Sequence, residues 1–125
     1  MKALLGFLVV IMAIPAMAVP SLPQAPYKDA SELLAWLKKS RVEMNRAGRA
    51  HDLVTLSRIK RDAFRWTDVW YIDAGHRHFL PCSHAARDMG NFLDAYEKKD
   101  MRKRDLMGRL FRDDLAECER LVRAH

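Results

Sequence analysis

Five residues in the middle of the chain have the side chains that acid–base or metal chemistry needs. They are Asp73, His76, His78, His84 and Asp88, all within the stretch from Asp73 to Asp88. Three imidazoles and a carboxylate, Asp73, His76, His78 and His84, are ligand types suited to zinc or copper. Their spacing follows no established zinc pattern, so they stand as weak metal candidates and no cofactor is expected. His84 and Asp88 are four residues apart, the spacing at which helical side chains meet, and histidine is the commonest general base. No nucleophile accompanies them, so they are weak catalytic candidates and no catalytic set can be named.

The stretch Phe79–Phe92 also resembles the secreted prokaryotic phospholipase A2 family. That family carries a cysteine shortly before an adjacent His-Asp pair on a helix, followed by glycine. Cys82, Asp88 and Gly90 match the cysteine, aspartate and glycine. Arg87 occupies the position of the catalytic histidine, two extra residues separate the cysteine from the aspartate, and the glycine-rich calcium loop is missing. The resemblance covers at most a third of the chain. It implies a small secreted hydrolase using the His76–Asp88 region, with His84, one turn before Asp88, as a general base in place of the missing histidine.

Cys82 and Cys118 are the only cysteines. They form neither a CxxC redox pair nor a CxxCH haem site. Each is 18 residues from Asp100. If residues 99–101 turn between two antiparallel helices, both cysteines lie at the same height, about 27 Å from the turn. Both also fall on the apolar side. This symmetry predicts a disulfide that closes the open end of a helical hairpin, contributing roughly 3–4 kcal/mol.

The chain start fits a compartment where disulfides persist. Met1-Lys2 leads into an apolar run from Ala3 to Ile14, and Ala16-Met17-Ala18 supplies a small–x–small site. These are the parts of a cleavable signal peptide over residues 1–18. The run ends at Val19 and contains Pro15, too short for a spanning helix of about 20 residues. The expected localisation is therefore periplasmic or secreted, with no transmembrane segment in the mature chain. The 22 basic and 16 acidic residues give a net charge of +6, and removal of Lys2 lowers it by one. For an exported chain this argues against nucleic acid and for another envelope protein or an anionic envelope surface as partner.

Residues 19–28 carry Pro20, Pro23 and Pro26, and a spacing of three predicts an extended, polyproline-like lead-in. The domain proper is read as 29–125. A first helix is expected from Asp29 to Ala47, with Asp29 and Glu32 as a capping box and Ala30, Leu33, Leu34, Leu37 and Met44 inward. A second, Ala50 to Ala74, places Leu56, Ile59, Ala63, Trp66 and Trp70 on one seam. A loop spans 76–81. A third helix runs from Cys82 to Lys99. The fourth, Met101 to Ala124, turns Met107, Leu110, Phe111, Cys118, Leu121 and Val122 inward. The predicted fold is all-α: a small four-helix bundle of two hairpins with one disulfide.

Two surfaces stand out as partner-binding candidates. Phe64, Val69, Tyr71 and Ile72 make the end of the second helix apolar nearly all round, more than one core face requires. Lys98, Lys99, Arg102, Lys103 and Arg104 concentrate charge at the hairpin turn, where Arg102, Lys103 and Arg104 suit phosphate or carboxylate groups. Asp114 lies near the apolar face and, if buried, needs a partner such as Tyr96 or a Trp indole. Small size, a disulfide brace and the missing catalytic set favour a binding protein, of the kind that inhibits, protects, assembles or chaperones, over an enzyme.

Overall fold

In a computed structural model, which describes residues 24–125, the chain forms five α-helices. They are α1 (Gln24–Arg49), α2 (Leu53–Asp68), α3 (Ala74–His78), α4 (Leu80–Glu97) and α5 (Met101–Ala124). Four are long and pack as two hairpins, α1–α2 and α4–α5, with α2 against α4 and α1 against both α4 and α5. The fifth, α3, is a single turn where a loop was expected. The proposed leader, 1–18, lies outside the described residues, as does 19–23.

The first helix starts earlier than the sequence suggested. Residues 24–28 are helical rather than extended. Pro26 is tolerated because the first-turn N–H groups of a helix have no acceptor within it. Asp29 is therefore no cap. It lies in the second turn of α1, where its side chain is free to reach another element. At the far end α1 runs one residue past Gly48, and His51 takes the left-handed conformation (φ 54°) that reverses the chain. Asp52 then caps α2, its carboxylate accepting from Thr55 N at 3.1 Å.

The second helix stops at Asp68, six residues before the expected Ala74. Asp73 explains the break. Its carboxylate accepts from His76 N at 2.7 Å and starts α3, which leaves Val69–Ile72 as the connection. Trp70 thus leaves the helix seam. Pro81 sits in the first turn of α4, another place where a missing N–H costs little. The fifth helix has the predicted bounds, fixed by Asp100, which accepts from Lys103 N at 3.1 Å.

The core follows the expected seams through Leu33, Leu37, Ile59, Met89, Leu93 and Phe111. Leu115 joins it, whereas Leu110 is partly exposed. Cys82 and Cys118 are fully buried and form the disulfide across the α4–α5 hairpin, with Cα atoms 4.7 Å apart. Gly90 allows α2 and α4 to approach: a Cβ there would stand 2.8 Å from the Phe64 ring. Arg58 of α2 holds Glu43 of α1 at 2.7 Å.

Candidate functional site

The potential ligands do not converge. His76 turns inward and is buried, His78 stays on the surface, and His84 belongs to a different cluster on α4. Among the described residues no group of three or more His, Cys, Asp or Glu side chains could hold a metal ion. The histidine-rich stretch instead builds two separate polar clusters.

The first is a clamp around His76. Its Nε2 lies 2.8 Å from Asp29 Oδ2, and its Nδ1 lies 2.9 Å from Asp73 Oδ2. Each carboxylate oxygen accepts only if the facing nitrogen carries hydrogen, so the geometry suits the doubly protonated imidazolium. Burial works against that charge, but Asp29 and Asp73 outweigh it and raise the His76 pKa above 6.5. Asp73 in turn is lowered by its hydrogen bonds from the His76 backbone and ring.

The clamp fixes the aromatic connection. Trp70 donates its indole N–H to the His76 carbonyl at 3.1 Å. The Trp70 and Tyr71 rings meet the imidazole edge-on at 5.2 and 5.3 Å. Gly75 packs against α1 so closely that a Cβ there would meet Pro26 Cγ at 2.7 Å. With Trp70 turned inward, the flanking residues point out: Val69, Tyr71 and Ile72 are 52%, 64% and 84% exposed. Phe64, the fourth of this candidate set, is half-buried against Gly90. Beside the connection, Trp36 and Trp66 (ring centres 6.5 Å apart) join Asp62, Arg65 and Val69 around an open groove of about 400 Å³. Arg58 and Arg61 reach Glu43 and Asp62, whereas Arg65 makes no ion pair among the described residues.

The second cluster lies between α4 and α5. Asp88 is 1% exposed, and its Oδ2 has no hydrogen-bond partner among the described residues. Burial and the neighbouring Asp114 carboxyl push the Asp88 pKa up to about 7. Arg87 is 3.7 Å away and opposes the rise only weakly. Asp114 therefore meets another carboxyl, not Tyr96 or an indole. His84 is pushed down, first by burial and then by Arg87, with Asp114 opposing. The charges that act on it are those of Arg87 and Asp114 rather than Asp88.

In the sequence Asp73 stood with His76 only as a fellow metal ligand, and nothing connected Asp29 to either. Asp29 looked like a helix cap, and only the capping pattern of Asp73 three residues before His76 signals a new helix start. The basic candidates Arg102, Lys103 and Arg104 sit at the start of α5, at the opposite end of the bundle from the clamp. Comparison with protein-family models, with curated proteins and with solved structures finds no match to this chain.

Proposed function

We propose that the chain is an exported binding module that holds another envelope or secreted protein at the α2–α3 connection. The observation that carries this reading is the outward display of Val69, Tyr71 and Ile72 beside the Trp36–Trp66 groove. Large apolar side chains left in water at a rigid turn cost solvation unless a partner covers them. The His76 clamp keeps them displayed, so little order has to be created on binding. The partner chemistry follows from the groove: an apolar side chain to fill it and a carboxylate to meet Arg65.

The buried disulfide and the leader-like residues 1–18 support an oxidising, exported setting. Among the described residues no helix is long and apolar enough to cross a membrane. The competing hydrolase reading needs Asp88 to orient His84 as its base. The charges that act on His84 are those of Arg87 and Asp114 rather than Asp88, which favours binding over catalysis.

Two measurements test the proposal. The exported protein should begin at or near Val19 by intact mass, and a retained Met1–Ala18 segment would overturn export. Capture from envelope extract should recover a protein that Ile72→Asp and Tyr71→Ala lose while their melting curves stay two-state. Val42→Asp, a control on an exposed face of α1, should retain it. Equal capture by all three variants would overturn the assignment of the surface.

A further inference from the structure

The end of the bundle opposite the His76 clamp has a different character. Because α2 runs antiparallel to α4, the α1–α2 and α4–α5 turns lie side by side. Lys60 spans the two hairpins by reaching Asp94 and Glu97. The turns leave apolar side chains at the tip: Leu53 is 63%, Val54 82% and Met101 59% exposed. Leu53 and Met101 border a hollow of about 500 Å³ against Tyr96. A second hollow of about 310 Å³ opens between Leu56, Phe92 and Tyr96, with Arg49 and Arg104 at its edge.

The charge around this tip is unevenly satisfied. Asp52 and Asp100 are occupied in capping α2 and α5. Asp94 and Glu97 hold Lys60, and Asp94 also holds Lys98. Asp105 is taken by Arg104. Arg49, Lys99, Arg102 and Lys103 are exposed and make no ion pair among the described residues. The uncompensated charge here is therefore positive, and it rings the exposed aliphatic side chains.

We propose that this end docks on an anionic phospholipid bilayer. Leu53, Val54 and Met101 enter the boundary of the hydrocarbon region, and Arg49, Lys99, Arg102 and Lys103 face the lipid phosphates. A bilayer surface presents those chemistries in that order, with anionic groups outside and acyl chains beneath. The apolar residues sit beside two separate turns, at the starts of α2 and α5. A fluid interface needs no matching pocket, and an acyl chain can fill the hollow between Leu53 and Met101. The surface is distinct from the protein-binding end, and either assignment stands without the other.

The test is co-sedimentation of the exported, disulfide-intact protein with vesicles. One set holds equal parts phosphatidylcholine and phosphatidylglycerol, the other phosphatidylcholine alone. Binding is expected to the anionic set, about tenfold weaker to the neutral set and weakened by salt. The double variant Leu53→Asp/Val54→Asp and the double variant Arg102→Glu/Lys103→Glu should each lose about tenfold or more. Ile72→Asp, at the far end, should bind as the parent does. All substituted side chains are exposed, and unchanged melting curves will confirm folded variants. Four outcomes would overturn the proposal: no binding to anionic vesicles, binding indifferent to both double variants, binding lost only in Ile72→Asp, or binding that needs the cations but not Leu53 and Val54. Binding of polyglutamate through the same cations, without vesicle binding, would replace the bilayer with an acidic protein.

Discussion

His76 and Asp29, 47 residues apart in the chain, meet at 2.8 Å and tie the start of α3 to the second turn of α1. Asp73 holds the other face of the same ring. When the imidazolium loses a proton, one of its nitrogens presents a lone pair to a carboxylate, and that contact turns from attraction to repulsion.

The sign of the pH effect follows. The folded-state pKa of His76 is raised above 6.5, so the clamp's stabilisation is complete below the unfolded value and is lost as pH rises through the folded one. Melting temperature should therefore fall as pH is raised from 6 through neutrality. His76→Gln should cost roughly 1–3 kcal/mol at pH 6 and flatten this part of the profile. An unchanged profile in the variant would separate the clamp from the pH dependence.

Asp88 contributes in the same direction for a different reason. Its folded-state pKa is raised from 3.8 to about 7, so ionisation is penalised in the folded chain and stability declines as pH rises across that interval. Asp88→Asn removes the ionisation and keeps the shape. The variant should gain on the parent by about 1–3 kcal/mol at pH 8, and the gain should vanish near pH 4. Chemical denaturation at the two pH values checks this, and an equal difference at both would show that charge is not the cause.

The close approach of α2 and α4 rests on Gly90. Gly90→Ala brings a methyl to 2.8 Å from the Phe64 ring, which has to move. A loss of about 1–3 kcal/mol is expected. Combined with Phe64→Leu, the penalty should shrink, because the smaller side chain vacates the space. Additive losses in a double-mutant cycle would place the strain elsewhere.

Titration of the denatured, oxidised protein should find no free thiol, since Cys82 and Cys118 are paired. Reduction, or Cys82→Ser with Cys118→Ser, should lower stability by roughly 2–5 kcal/mol. Denaturant midpoints with and without reductant are the measurement.

The α4–α5 hairpin was legible because its signals are local and agree. Asp100 caps α5, the two apolar seams keep helical spacing, and the cysteines are symmetric about the turn. The α2–α3 region was not, because helical periodicity runs on through Trp66 and Trp70 although the chain leaves the helix at Asp68. What interrupts it is Asp73 starting α3, after which His76 is drawn inward to Asp29, a long-range contact that no window along the sequence contains. The same holds for Asp88 and Asp114. Two carboxyls are not an expected pair, so Asp114 pointed toward neutral donors instead. The three histidines looked like one ligand group, but helical geometry sends His76 inward and His84 to a separate face.

The disulfide joins the two ends of the α4–α5 hairpin that the Lys98–Asp100 turn does not. Residues 82 to 118 thus form a covalent ring, while the α1–α2 hairpin is tethered to it at one end only. Lys98 and Lys99 lie exposed in that turn, and Lys99 is left-handed (φ 60°). A protease that nicks the chain there opens the ring without releasing a fragment. The two pieces remain one molecule until a reductant reaches a bond that folding has hidden from solvent.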